Sequence, residues 1–229
     1  MELIGHRGGA ALAPENSIAA IAASVAAGAD GVEVDVRLTR DGVLVLAHDP
    51  VAVLDDGTSE RVSLSLAAGL GATTLAETLD AVPSDKLLVV ELKGHPWEAG
   101  YDPSEPTAHT AAALLATAAG GRRVVVSSFN PLALSVVRAE APGIRTAILT
   151  AEAFDLGSNL TAAIEGGHEE CHVPAALLEE WFVPRAHDAG RRVVAWTVDD
   201  PERLRAFRAW GVDGVICDDP AGARRALAA

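Results

Sequence analysis

Cysteine is nearly absent: Cys171 and Cys217 are the only two in 229 residues. They form neither a disulfide framework nor a thiolate metal spacing, so a small cross-linked scaffold and a structural zinc site are both excluded. A reducing compartment fits, and the cytoplasm is the expectation. Positive charge is also scarce. Lys and Arg number 18 against 32 Asp and Glu, a formal net charge of −14, and a chain so acidic is not drawn by its overall field to nucleic acid or to an anionic membrane. No run approaches about 20 consecutive apolar residues, which excludes a conventional membrane-spanning helix and stable insertion. The first residues enter an apolar strand pattern without a basic segment or a long apolar stretch, so no signal peptide is read here. A leader already removed would leave the same start.

What is abundant points to an alternating fold. The chain is 49% hydrophobic with only 4% aromatic residues, enough apolar content for one sizeable core and a single domain spanning 1–229. Short Val/Ile/Leu-rich runs bounded by turn residues or charges predict eight strands at 3–6, 31–36, 87–92, 123–128, 145–149, 171–174, 192–197 and 214–217. Stretches rich in Ala, Leu, Glu and Arg predict helices at 14–27, 74–81, 107–119, 131–141, 160–166, 178–189, 201–210 and 221–227. Eight strand-helix pairs at this length match an α/β fold of the (β/α)8 TIM-barrel type. The alternation breaks once. After the second strand, Arg40-Asp41-Gly42-Val43 reads as a tight hairpin, and the apolar run 43–47 returns with no helix before it. With Asp41 and Gly42 as a two-residue loop, Arg40 pairs with Val43 and Asp35 comes to lie opposite His48. Residues 51–71 show no sustained periodicity and read as a long surface loop.

Chemistry concentrates at strand ends. Glu33 and Asp35 stand two apart, so they share one face with Cα atoms about 7 Å apart. Glu91 and Lys93 repeat the pattern. Strand ends of a barrel face the active-site mouth, and three carboxylates packed there repel one another unless a cation intervenes. An all-oxygen set suits Mg2+ or Ca2+. Gly5-His6-Arg7-Gly8-Gly9 follows the first strand, where glycines leave backbone N–H groups open to an anion. Glu15 and Asn16 read as helix-capping residues that order the first loop. The loop 94–105 carries Trp97 and Tyr101 as candidate lid or partner-contact residues.

These segments, in order, resemble a known family. His6-Arg7-Gly8-Gly9, Pro14-Glu15-Asn16-Ser17, Gly28-Ala29-Asp30-Gly31-Val32-Glu33-Val34-Asp35-Val36, Thr39-Arg40-Asp41-Gly42 and His48-Asp49 are similar to the N-terminal signature of the glycerophosphodiester phosphodiesterases. Glu91-Leu92-Lys93, Ser127-Ser128-Phe129-Asn130-Pro131, Ala195-Trp196-Thr197-Val198 and Gly211-Val212-Asp213-Gly214-Val215-Ile216 resemble its later motifs, so the likeness spans nearly the whole chain. The resemblance implies Glu33, Asp35 and Glu91 as ligands of a divalent cation, with His6 and His48 as general base and general acid. It implies Arg7 and Lys93 as phosphate holders and Trp196 as a wall for the glycerol portion. The implied reaction is hydrolysis of a small-molecule glycerophosphodiester to glycerol 3-phosphate and an alcohol. Two other readings stand beside it: a lysophospholipase D or phospholipase C-like phosphodiesterase, for which 67–70 would be a weak apolar rim, and a non-catalytic sugar-phosphate-binding barrel. Family members often carry a longer insertion after the His-Asp motif than this chain does, which bears on the headgroup. His95, His109, His168, His172 and His187 match no catalytic position and are expected at the surface or at caps. The sequence does not set the oligomeric state.

Overall fold

Alternating inward and outward side chains on eight short strands close the sheet. The computed structural model describes residues 1–54, 56–150 and 155–228. The barrel strands are β1 (Glu2–Gly5), β2 (Gly31–Leu38), β6 (Leu87–Leu92), β7 (Arg123–Ser128), β8 (Arg145–Leu149), β9 (Glu170–Pro174), β10 (Arg192–Trp196) and β11 (Gly214–Cys217). All are parallel to their barrel neighbours, and β1 pairs with both β11 and β2, which closes the ring. On β2, Val32, Val34 and Val36 pack outward under the helices, while Glu33, Asp35 and Arg37 take the inner face. A second apolar cluster, including Ile4, Leu87, Val89, Val125, Val194 and Ile216, fills the barrel interior.

Around the barrel lie α1 (Ile18–Ala26), α3 (Leu75–Ala81), α4 (Pro106–Ala118), α5 (Pro131–Glu140), α6 (Leu156–Glu165), α7 (Phe182–Asp188), α8 (Pro201–Trp210) and α9 (Pro220–Ala228). Their buried faces complete the outer core, with Phe182 and Phe207 almost fully covered; burying such a ring stabilises the fold by about 1.5–3 kcal/mol. Helix starts follow their caps. The first helix begins at Ile18 rather than at residue 14, because Ser17 caps Ala20 N and Asn16 sits in the left-handed region at φ 54°. Helix α6 starts earlier than the 160 its periodicity predicts, since Asp155 caps Ser158 N. No helix among the described residues is long and apolar enough to cross a membrane.

Two expectations about the segment after the second strand need correction. The strand β3 (Leu44–Leu46) does return antiparallel on β2, but Leu38 pairs with Leu44 and Val36 with Leu46. The loop therefore has three residues, closed by Thr39 N donating to Val43 O, and Ala47 rather than His48 comes level with Asp35, donating its N–H to Asp35 O at 3.0 Å. The cause is local. Thr39 Oγ1 accepts from Val43 N while bonding Asp41, and Gly42 adopts φ 78°, so a turn with a left-handed final residue replaces the two-residue form. Residues 51–71 also hold regular structure: a ribbon of β4 (Val51–Val53) and β5 (Ser59–Arg61), a 3-10 turn, and the single helical turn α2 (Ala67–Leu70). Its alternation escapes notice because the ribbon lies outside the core, leaving Val53 and Leu64 exposed.

The barrel floor, at the strand N-termini, is sealed by charge. Glu2 pairs with Arg123 and Arg192, and the buried Glu170 pairs with Arg145 at 2.7 Å. This leaves the opposite end, where the loops after the strands gather, for the site.

Candidate active site

At the C-terminal end of β2 and β6 the inner-face residues change from apolar to acidic. Glu33 and Asp35 come from β2, Glu91 from the next strand in the ring, and parallel register sets Asp35 beside Glu91. One carboxylate oxygen from each of the three lies within 4.8 Å of the others. Glu33 and Asp35 are buried, 3% and 1% exposed. Burial, reinforced by the charges of Asp35 and Glu91, holds the Glu33 carboxyl well above the usual carboxylate range. Burial, only partly offset by Lys93, raises Glu91 as well. Asp35 goes the other way: burial opposes its charge, but Lys93 and the Asn16 amide favour it, and the net shift is downward.

The local cations are committed to this cluster. Lys93 Nζ lies 2.9 Å from Asp35 Oδ1 and 2.5 Å from Glu91 Oε1. Arg7 Nη1 donates to both oxygens of Glu15 at 2.9 Å, and its Nε stands 3.5 Å from Asp35 Oδ2. Both side chains that the family resemblance assigns to a phosphate thus border the carboxylates. Glu33 Oε2 accepts the Arg7 backbone N–H at 2.9 Å, whereas Glu33 Oε1 is buried with no hydrogen-bond partner. An orphaned buried carboxylate oxygen facing two further carboxylates is a hard-oxygen donor set, and it fits a divalent cation of the Mg2+ or Ca2+ type.

His6 leaves the end of β1 in a single 3-10 turn, with Nδ1 2.7 Å from Asp218 Oδ1 just beyond β11. The glycines after it do not hold an N–H array open. Gly9 N donates back to His6 O at 2.7 Å, and a Cβ on Gly8 or Gly9 would strike α1, so the loop needs glycine to lie against that helix. His48 follows β3, with Nδ1 2.8 Å from Asp49 Oδ1. Its backbone is pinned by Arg37, whose Nε and Nη2 donate to His48 O at 3.0 and 2.8 Å, while Nη1 and Nη2 grip Glu98 of the 94–105 loop.

Trp196 ends β10 half-buried, packed on the interior apolar cluster, and meets Phe129 edge to face at 5.8 Å between centroids. His95 extends the aromatic series, at 5.3 Å from Phe129 and stacked on exposed Trp97 at 4.8 Å. Tyr101 turns inward instead, donating its hydroxyl to Glu105 at 2.5 Å.

A model of the glycerophosphoryl diester phosphodiesterase family matches residues 6–222. The chain belongs to that family. A glycerophosphodiester phosphodiesterase of Caldanaerobacter subterraneus is 30% identical, over 95% of this chain and 94% of its own. Among solved structures, the glycerophosphodiester phosphodiesterase of Thermotoga maritima is 27% identical with a TM-score of 0.78, covering 96% of each chain. A phosphodiesterase of Oleispira antarctica, solved with the product sn-glycerol-3-phosphate, shares the fold at 23% identity and a TM-score of 0.85, covering 100% of this chain and 97% of that one.

In this member of the glycerophosphoryl diester phosphodiesterase family, several site residues go beyond the sequence reading. Asn16 is not a helix cap; it is buried and bonded to Asp35. Glu15 is the partner of Arg7. Asp218 and Arg37 were not singled out, although the first follows the last strand directly and the second continues the Glu33, Asp35 face, both of which are available signals. Of the five remaining histidines, only His109 and His187 are exposed; His95, His168 and His172 are buried. His172 is inside because it alternates with outward Cys171 and Val173 on β9, and it sits 3.2 Å from Glu170.

Proposed function

We propose that this protein hydrolyses glycerophosphodiesters to glycerol 3-phosphate and an alcohol. The observation that carries the reading is the convergence of Glu33, Asp35 and Glu91 at the mouth, with one buried oxygen of Glu33 unsatisfied. The three would hold a divalent cation, Mg2+ or Ca2+, which when bound supplies charge neutralisation for the phosphodiester and its displacement.

The remaining work falls to the chain's own side chains. Arg7 and Lys93, at the margin of the carboxylate cluster, hold the phosphate oxygens by charge-assisted hydrogen bonds. Together with the bound cation, they would answer the difficulty of a protein with net charge −14 acting on an anion, by gathering positive charge at the site. His6 takes the nucleophile's proton; Asp218, 2.7 Å from Nδ1, orients the ring. His48 delivers a proton to the departing alcohol oxygen. Acid-base assistance of this kind is worth about 10² to 10⁴ in rate. Trp196 walls the glycerol portion. Support comes from family membership and from the Oleispira antarctica phosphodiesterase of the same fold, solved with sn-glycerol-3-phosphate.

The exposed Val51, Val53, Leu64 and Leu66 on and after the β4–β5 ribbon favour a second reading, a lysophospholipase D-type activity using them as an acyl rim. One panel separates the two. Purified protein, stripped by chelation and reloaded with Mg2+ or Ca2+, is assayed for release of glycerol 3-phosphate from glycerophosphocholine and for headgroup release from its lyso-lipid. Glycerol 3-phosphate release that requires the cation supports the first reading; activity surviving exhaustive chelation rejects the metal site, and turnover of the lyso-lipid alone rejects the substrate.

A further inference from the structure

A cavity of about 440 Å³ opens beside the carboxylate cluster, between the β2–β3 hairpin, the exit of the ribbon and the 94–105 loop. That volume lies in the usual range for small-molecule pockets, about 300–1,000 Å³. Lys93 lines it, whereas Glu33, Asp35, Glu91, His6 and His48 do not. The cavity therefore flanks the reaction centre. It lies against the His48 segment: Arg37 in its wall donates to the His48 carbonyl, and Pro50 lines it two residues further on. His48 is the group assigned above to protonate the departing alcohol, so the alcohol portion of a bound diester extends to this side.

The wall carries both signs, with a slight excess of positive charge: Arg37, Arg40, Arg61 and Lys93 stand against Glu98, Asp102 and Glu105. The carboxylates in the same wall are already engaged. Glu98 takes the Arg37 fork at 2.9 and 3.0 Å, Glu105 accepts from Tyr101 and from Asn130 Nδ2 at 2.6 Å, and Asp102 accepts from Ser104 N and Oγ. Arg61 meets the Ala99 carbonyl at 2.8 Å, and among the described residues neither it nor Arg40 has an ion-pair partner. Two guanidiniums of this kind present planar, forked donors matched to a phosphate, and they repel a cationic headgroup.

We infer that this cavity is the subsite for the substrate's alcohol portion, and that it selects glycerophosphodiesters whose alcohol carries a phosphomonoester, held by Arg40 and Arg61. The inference rests on the hydrolase reading above. The test compares kcat/KM for glycerol 3-phosphate release from glycerophosphoinositol and from glycerophosphoinositol 4-phosphate. The phosphorylated diester is expected to be preferred by about tenfold or more, chiefly through KM, as charge-assisted contacts to a phosphate imply. The Arg40→Ala/Arg61→Ala double variant is expected to bring the ratio towards one, with partial recovery in Arg40→Lys/Arg61→Lys. Turnover of both diesters at a wild-type ratio near one overturns the subsite alone, as does a preference that the double alanine variant retains. Failure to turn over either inositol diester while glycerophosphocholine is hydrolysed also overturns the subsite alone; failure on all three with any divalent cation removes the hydrolase reading and this inference with it.

Discussion

Asn16 and Asp35 are joined twice: the Asn16 amide nitrogen donates to Asp35 Oδ2 at 2.9 Å, and its amide oxygen accepts the Asp35 backbone N–H at 3.0 Å. The pair locks the first loop onto the second strand and fixes the rotamer of a carboxylate at the centre of the site. Replacing Asn16 by Ala leaves a buried backbone N–H without its acceptor, at a cost of about 1–3 kcal/mol. Asn16→Asp adds a fourth carboxylate to the cluster and should be worse for folding without metal. Urea denaturation of the metal-free proteins checks the order, wild type above Ala above Asp; an aspartate variant as stable as wild type would contradict it.

The contact of His6 with Asp218 separates positioning from proton transfer. His6→Ala is expected to lower kcat by about 10² to 10⁴. Asp218→Asn keeps the ring but weakens its orientation, so kcat should fall by a smaller factor with KM little changed. Steady-state kinetics on glycerophosphocholine decide this. Equal loss in the two variants would mean that Asp218 acts on the reaction directly, and no loss in Asp218→Asn would remove it from the site.

Arg37 ties the His48 carbonyl to Glu98 through one buried guanidinium. A lysine has no planar fork and cannot make both contacts together. Arg37→Lys should therefore lower kcat on every diester and speed proteolysis within 94–105, since Glu98 loses its anchor. If limited proteolysis and kcat both stay at wild-type values, the clamp has no role in holding His48.

His168 provides a pH test away from the site. Burial, with help from Arg138, pulls its pKa down to about 4, and Nδ1 is bonded to Thr146 Oγ1 at 2.9 Å. The unfolded chain takes up this proton near pH 6.5 and the folded protein only near 4, so the unfolded state binds more protons between those values. This contribution to stability is complete above about pH 6.5 and is lost as pH falls towards 4. The expected result is a Tm that drops from pH 7 to pH 5 by more in wild type than in His168→Gln; parallel drops would assign the acid sensitivity to other groups.

The sequence by itself determined the architecture and the chemical inventory. Strand periods, caps and turns are short-range signals, and four of the eight barrel strands, β6, β7, β8 and β11, keep the bounds that their apolar runs predict. Glu33 and Asp35 share a face for the same local reason, and Glu91 follows once the strands are parallel neighbours. Only the tertiary structure decided the rest. The hairpin register turned on the side chain of Thr39 and the backbone of Gly42, which move His48 one place past Asp35. The pairing of His6 with Asp218 spans 212 positions, and ring closure of the barrel, which no local pattern encodes, brings its first and last strands side by side. The buried histidines and the arginine-lined cavity have the same origin, because burial and charge neighbourhood belong to the packed assembly of elements and to no single segment.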